Sequence, residues 1–541
     1  MKTKFLFASL ILMGASLVTN AQGYKDGIEY YKVDRLDNAK ELLERNLSDA
    51  RTDKAEAFYY LGQIALHQGK VSEAAANFEK GIAANANNPY NYVGQAAIAL
   101  RNGSGEAKAL FEKARKLVKK DPKLEVEIAR AYYDVNPTTY AKDIDKCIKN
   151  ARKWSPEDPD SYIFEADTKA DKQDWGNAAG IYELAFGQDP NNIEAYVKYA
   201  NTYFNVVPSI AIQRLEELQA KVPNSALVQR ELAEKYYADN LGTKAAEQYG
   251  KYIKNPNHFA QDEVRYVQLL FFGDKFEESY DLATQLINRL TPGDENIYYM
   301  KRMQLYNLVQ LKKWPEAVEA GKSFFDTMIP KGSARESRDY TDYGQALLEV
   351  GNGAEAITAF EAALKLNPNN FDLIRYMGDS YAETEDYVNA AAYYQRLYDS
   401  GNCKANDIFY LSRYYYGIAS NKELDEAVKA DALNKSQQYL DEVDKMVPGN
   451  VQIVNQKARL AMFREGDANT GAAVEPYREL ISILDAKEDK SGYQNYYRSA
   501  YSYLAGYYFN RGDKATAKSY YQKWLDIEPE NDALRKYINS L

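Results

Sequence analysis

Two histidines, two cysteines and one glycine–lysine–serine run are the residues whose types invite chemistry, and their spacing does not support it. His67 and His258 stand far apart, and neither belongs to a His-Glu-x-x-His metal pattern. Cys147 and Cys403 are isolated, with none of the paired spacings that bind zinc. Gly321-Lys322-Ser323 ends like a phosphate-binding loop, but Glu316 occupies the place of the leading glycine. No Gly-x-Ser-x-Gly nucleophile elbow occurs. With 78 Asp and Glu in the chain, close carboxylate pairs arise without catalytic purpose. The residues therefore spell out no catalytic group, no cofactor site and no metal site, and the chain reads as no enzyme.

What positions these residues is a repeat of 34. It is clearest at Tyr340, Tyr343-Gly344, Leu347, Ala356, Phe360, Ala363 and Pro368. Thirty-four residues on stand Ile374, Met377-Gly378, Tyr381, Ala390, Tyr394 and Leu397. Phe58, Leu61-Gly62, Ala65, Ala74, Phe78 and Gly81 keep the same offsets, as do Tyr501, Leu504-Ala505, Tyr508, Ala517, Tyr521, Trp524 and Pro529. Apolar residues recur at i, i+3, i+4 and i+7, the mark of amphipathic helices. Pro190, Pro223, Pro368, Pro448 and Pro529 fall where the second helix of a unit must stop.

This pattern resembles the tetratricopeptide repeat. The resemblance implies an all-α fold, a right-handed α-solenoid of tandem helix-turn-helix units with seven or eight units per superhelical turn. About fourteen units are expected. Residues 22–336 read as an N-terminal array of about nine units, the last two divergent. Residues 337–541 read as a C-terminal array ending in a capping helix at 532–541. Pro330 to Arg335 is rich in breakers and reads as the hinge or boundary. A long polar turn is expected near Ser420 to Asp431. Each unit of a solenoid touches only its neighbours, so Cys147 and Cys403, 256 residues apart, are not expected to form a disulfide.

Composition agrees with a folded scaffold: 27% charged and 45% apolar. Net charge is −10, and about −12 without Lys2 and Lys4, which argues against nucleic acid or anionic lipid as a partner. Residues 1–21 read as a secretory signal peptide. Lys2 and Lys4 precede an apolar run from Phe5 to Val18, and Thr19-Asn20-Ala21 offers a cleavage point before Gln22. That run is short for a membrane span of about 20 residues. No later segment is apolar enough for a transmembrane helix, and no Cys follows the run as a bacterial lipoprotein would need. The expectation is an exported protein in the periplasm of a Gram-negative bacterium.

The resemblance also implies a concave groove lined by first-helix residues one, four and eight places after each unit start. Here those include Glu56, Tyr59 and Gln63, then Asp160, Ile163 and Asp167, then Glu194, Val197 and Asn201. Later units supply Arg338, Thr341 and Gln345, then Asp372, Arg375 and Asp379. Some members clamp a peptide carboxylate with Lys, Arg and Asn. Asn201 sits at a clamp position, but Val197 replaces the needed Lys, so that mode is not expected. Tyrosine is abundant, with 48 in the chain, and repeat positions account for most of it. The consecutive Tyr414, Tyr415 and Tyr416 and the crowded last unit exceed that need, and a helix cannot bury three consecutive residues on one stripe. The candidate partner-binding residues are therefore Tyr59, Gln63, Asn201, Arg338, Gln345, Arg375, Asp379, Tyr414, Tyr416, Tyr503 and Tyr507. Asp326-Thr327-Met328 resembles an O-glycosylation sequon of exported bacterial proteins, which makes Thr327 a candidate modification site.

These readings predict a non-enzymatic scaffold that binds a peptide or protein partner, in envelope assembly, secretion or an outer-membrane complex. A homo-oligomer is compatible with the pattern. The competing reading is a glycan- or nutrient-binding accessory protein at the outer membrane.

Overall fold

The computed structural model describes residues 23–368 and 370–541, so the signal peptide expected at 1–21 lies outside the described residues. Twenty-nine α-helices and no strand occur among the described residues. The chain forms two compact units, Met1–Leu282 and Ala283–Leu541.

The helices of the first unit open with α1 (Gly23–Lys32), α2 (Leu36–Asn46), α3 (Lys54–His67), α4 (Val71–Ala84), α5 (Tyr90–Arg101) and α6 (Ala107–Leu117). Next come α7 (Pro122–Val135), α8 (Ala141–Trp154), α9 (Asp160–Ala170), α10 (Trp175–Gln188) and α11 (Ile193–Tyr203). The run ends with α12 (Pro208–Lys221), α13 (Ala226–Ala238), α14 (Gly242–Ile253), α15 (Asp262–Phe272) and α16 (Phe276–Arg289), inside which the division falls.

Each hairpin is built by the repeat positions. Asp53 caps α3 by accepting from the Glu56 N–H, and Asn192 and Ser225 do the same for α11 and α13. Gly69, at φ +73°, ends α3 in the left-handed conformation that glycine adopts freely. Phe78 of α4 then packs between Gly62 of α3 and Gly94 of α5, where an added Cβ on either glycine would overlap the ring. Pro190 and Pro223 each follow the end of a second helix by two residues, as expected.

The first unit departs from nearest-neighbour stacking. Helix α1 packs on α11 and α13 as well as on α2 and α3. One apolar core joins Tyr30, Leu42 and Leu61 to Leu215, Tyr249 and Phe259. Tyr30 meets the Phe259 ring edge-on at 5.5 Å. Arg35 spans the junction with two 2.8 Å hydrogen bonds to Glu231, and Asn257 donates to Asp26. The array therefore closes on itself after about six hairpins, tighter than the seven or eight implied by the resemblance. Strict neighbour contact does not hold here, because accumulated curvature returns the first hairpin to the sixth and seventh.

The second unit continues with α17 (Asn296–Gln310), α18 (Trp314–Phe325), α19 (Ser337–Glu349), α20 (Gly353–Leu366), α21 (Phe371–Glu383) and α22 (Tyr387–Asp399). It ends with α23 (Ala405–Ser420), α24 (Glu426–Met446), α25 (Val451–Glu465), α26 (Val474–Asp485), α27 (Gln494–Asn510), α28 (Lys514–Ile527) and α29 (Asp532–Ser540). The Phe-on-Gly contact recurs with Phe360 on Gly344, and Tyr394 takes the same place on Gly378. Residues 330–335 are tied down inside this unit. Arg335 donates to the carbonyls of Phe324, Phe325 and Thr327 at 2.9–3.2 Å, and its guanidinium lies 4.0 Å from the Phe324 ring centre. The long turn expected at 420–431 is only 421–425, because α24 starts at Glu426 and runs for 21 residues.

Candidate functional site

The first unit encloses a cavity of about 300 Å³ lined from α1, α3, α5, α7, α9, α10 and α11. First helices dominate its wall because their inner faces turn toward the centre of the closed array. At its heart is an ion network. Arg130 of α7 reaches Asp167 at 2.9 Å, Glu194 at 3.6 Å and Glu127 at 3.7 Å. Lys198 reaches Asp167 at 2.9 Å and Glu194 at 3.4 Å, and Lys32 of α1 reaches Glu194 at 3.2 Å. Tyr182 donates to the other Asp167 oxygen at 2.7 Å.

The electrostatics follow from who is paired. Burial alone would raise Asp167 and Glu194, but the surrounding Lys and Arg charges outweigh it and hold both below the usual carboxylate range. Burial wins at Glu127, which is pushed up despite Arg130 and the 2.5 Å hydrogen bond from Tyr59. Burial also opposes the charge on Lys198, yet Asp167 and Glu194 raise it. Asp34, Asp134 and Asp160 also line the cavity, and their carboxylates carry no hydrogen bond or ion pair among the described residues.

The expected groove residues divide. Gln63, Asp160, Asp167, Glu194 and Asn201 do line the cavity. The middle position does not: Tyr59 is 1% exposed, and Ile163 and Val197 are fully buried. Tyr59 belongs to the packing, with its hydroxyl spent on Glu127, so it is scaffold and offers no contact surface. The inward residue stands one place later, at Tyr60, Phe164 and Lys198. Those residues were missed, as was Arg130. The 34-residue steps from Arg130 to Phe164 to Lys198 were the available signal.

In the second unit most candidates hold hairpins together. Arg375 makes two 3.0 Å bonds to Asp407 and one of 2.7 Å to Asp372, and also donates to the Asn402 carbonyl. Asp379 accepts from Tyr394 at 2.7 Å and Tyr414 at 3.2 Å. The Tyr414–Tyr416 run is divided among three neighbours. Tyr414 is buried and reaches back to Asp379, so it too is scaffold. Tyr415 stacks on Tyr439 of α24, and Tyr416 meets Phe463 of α25 edge-on at 5.3 Å. Arg338 pairs with Asp342 at 3.2 Å and covers the Tyr306 ring, while Gln345 is half-buried on the next turn. Tyr503 donates to Glu465, whose other oxygen accepts from the Gly471 and Ala472 N–H groups, and Tyr507 stacks on Tyr503. Tyr416, Tyr503 and Tyr507 stay partly exposed.

The remaining candidates are structural too. Thr327 sits just beyond α18, its hydroxyl donating to the Ser323 carbonyl at 2.8 Å and accepting from Lys301 at 3.0 Å. Cys147 and Cys403 are free thiols. Burial pushes them up to about 12 and about 11, far from a reactive thiolate. No group of three or more His, Cys, Asp or Glu able to hold a metal ion occurs among the described residues, and none of their helices is long and apolar enough to cross a membrane.

Helical hairpins in tandem, small residues at the crossing points and a concave polar wall define a helical-repeat scaffold. A sequence profile of the tetratricopeptide repeat matches residues 24–89 and 341–403. Those two segments are tetratricopeptide repeats, set within an all-α repeat array of the kind that serves as a protein–protein interaction scaffold. It is 30% identical over 146 residues to the mouse (Mus musculus) tetratricopeptide repeat protein 21B, a match spanning 26% of this chain and 10% of the mouse protein. Among solved structures, it is similar to the C-terminal part of a repeat-containing protein from Cytophaga hutchinsonii. That match has 19% identity and a TM-score of 0.41, covering 50% of this chain and 98% of the other. A tetratricopeptide repeat protein from Parabacteroides merdae matches at 15% identity and a TM-score of 0.29, covering 48% and 98%. Likenesses of this degree carry no functional argument.

Proposed function

We propose that this protein is a non-enzymatic scaffold of the periplasm that holds a peptide or protein partner for envelope assembly or secretion, within or beside an outer-membrane complex. The reading is carried by the cavity of the first unit. Its wall is polar, it gathers first-helix residues from six hairpins, and Asp34, Asp134 and Asp160 on it carry no hydrogen bond or short ion pair among the described residues. A preformed concave surface of this kind binds without first ordering itself. The exported location is supported by Lys2, Lys4 and the apolar run from Phe5 to Val18. The partly exposed Tyr416, Tyr503 and Tyr507 of the second unit supply a further aromatic contact area. Affinity purification of a tagged chain from its native envelope tests the reading. A stoichiometric protein partner is expected, and repeated recovery of the chain alone, after cross-linking as well as without it, refutes it.

A further inference from the structure

The turn after α18 holds an apolar pair out into solvent. Met328 is 85% exposed and Ile329 43%. The backbone on both sides is anchored. Before the pair, the Thr327 hydroxyl donates to the Ser323 carbonyl and accepts from Lys301, and the Thr327 carbonyl accepts from Arg335. After it, Pro330 is buried and its carbonyl accepts from the Ser333 N–H at 3.0 Å. Met328 and Ile329 thus form a preset knob, and covering it requires little further ordering of the chain.

Beside the knob lies an apolar socket. It has a volume of about 330 Å³ between α18, α19 and α20 and is lined by Phe325, Tyr340, Tyr343, Leu347, Ala359 and Ala362. Its aromatic wall is fixed. Tyr343 fills the space that a Cβ on Gly321 would need, and the Phe325 ring lies 5.0 Å from that of Tyr340 and 5.2 Å from that of Tyr343. The opposite wall is low because Ala359 and Ala362 are small. Leu366, one turn beyond Ala362 on α20, is 55% exposed. The charges beside knob and socket are opposite. Lys331 follows the knob by two residues and Glu355 lines the socket; both are exposed, with no hydrogen bond or ion pair among the described residues. Lys322 is near enough to feel Glu355, but its partner is Glu319 at 3.0 Å.

We propose that the Met328–Ile329 knob of one copy of this chain seats in the socket of a second copy, forming a two-fold dimer through the second unit. Phe325 lines the socket and stands three residues before Met328, so knob and socket belong to one patch. A two-fold axis beside that patch satisfies both contacts at once and leaves neither open. The same pairing brings each Lys331 to the other copy's Glu355, an exposed ion pair that selects this register more than it adds affinity. The unbranched methionine side chain adapts to a hollow of this size. Two such contacts bury less than the roughly 1,200–2,000 Å² of a stable interface, so the dimer is weak and reversible. The proposal concerns the second unit alone and does not depend on the scaffold reading.

Sedimentation velocity on the full chain between about 1 and 300 μM tests it. A monomer–dimer equilibrium is expected. Met328→Asp should weaken it at least about 100-fold, because each dimer loses two buried methionines. Ala362→Trp, which fills the socket and leaves the knob intact, should act in the same direction. Lys331→Glu and Glu355→Lys should each weaken the dimer roughly 5- to 30-fold. The chain carrying both charge changes should regain the original affinity, since each pair is restored with its signs exchanged. Helical circular dichroism should be unchanged in every variant, as the substituted groups face solvent or the open socket. A chain that stays monomeric throughout overturns the proposal, as does a dimer that Met328→Asp and Ala362→Trp leave intact. Failure of the double charge exchange to restore affinity, or assembly that grows past two copies, overturns it as well.

Discussion

Replacing Arg35 with Met tests whether the first unit is truly closed. Arg35 lies in the turn between α1 and α2, and Glu231 on α13, 196 residues away. Both bonds are 2.8 Å, and the Glu231 side chain is 1% exposed against 39% for Arg35. Removing the guanidinium strands a buried carboxylate, which in buried pairs costs roughly 3–5 kcal/mol. Two features reduce that figure. Arg35 is partly solvated, and Arg230 remains 3.6 Å from Glu231. About 2–3 kcal/mol is the resulting expectation for opening of the α1–α2 hairpin. Repeat arrays need not unfold in one step, so a single melting temperature is the wrong measure. Native-state hydrogen exchange of the α1 and α2 amides reads the local opening directly and should quicken roughly 30- to 150-fold. Arg35→Met with Glu231→Met should restore most of the protection, because an apolar pair of similar volume is often as stable as the ion pair it replaces. Unchanged exchange in α1 and α2, or strictly additive losses in the double variant, would refute closure through this pair.

Three further outcomes follow from named contacts. Gly62→Ala and Gly94→Ala each push a methyl into Phe78, and overpacking of about 1–3 kcal/mol less the roughly 0.5–1 kcal/mol helix gain of Ala leaves a net loss near 1–2 kcal/mol. Adding Phe78→Leu should make the Gly62→Ala loss less than additive in urea unfolding. Gln173, Lys312 and Glu385 hold φ near +55° to +60° at the hairpin turn where other units use Gly69 or Gly351. Each change to Gly should stabilise its unit by about 0.5–1 kcal/mol, measured as a shift in denaturant midpoint. Burial raises the Asp342 carboxyl to about 6, with Arg338 opposing. The folded state then holds a proton that the unfolded chain releases near pH 4, so stability falls as pH rises from about 4 to about 6, by about 1–3 kcal/mol. Asp342→Asn should flatten that window and leave the second unit more stable at pH 7, as followed by unfolding at fixed pH steps.

The hairpins were legible because each depends on a few residues close in sequence. The Gly62 and Phe78 pair, the caps at Asp53 and Asn192, and Pro190 beyond α10 are all local facts. Closure of the first unit was not legible. It depends on how small rotations add up over six hairpins, and no single residue encodes that sum. Lys32 meeting Glu194 and Tyr30 meeting Phe259 are consequences of it. The site was half legible for a related reason. At the first and eighth positions Gln63, Asp160, Asp167, Glu194 and Asn201 line the cavity, whereas Glu56 pairs with Lys25 away from it. The middle position was read one residue early, and one step along a helix turns a side chain by about 100°, which separates the buried Val197 from the inward Lys198. The three consecutive tyrosines were read as surplus. In a stacked array a helix has a neighbour before it, a partner beside it and another after it, and Tyr414, Tyr415 and Tyr416 each take one.

The abundance of tyrosine and the acidic balance are two sides of one arrangement. Phenols donate to carboxylates throughout both units: Tyr59 to Glu127, Tyr236 to Glu216, Tyr252 to Asp262, Tyr306 to Asp339 and Tyr398 to Glu442, all at 2.5–2.8 Å. A carboxylate turned inward needs donors, and a tyrosine supplies one while its ring fills the crossing between helices. In two repeats the pairing spans fifteen residues. Asp167 is followed by Tyr182 and Asp379 by Tyr394, whereas Gln63 is followed by Phe78 and Gln345 by Phe360. The aromatic thus carries a hydroxyl where its helix partner is an acid and lacks one where the partner is an amide. An amide has its own donors and can turn elsewhere, so the hydroxyl is dispensable at Gln345, which is only half-buried. The same holds at Gln63, which lines the cavity of the first unit and needs no hydroxyl from Phe78.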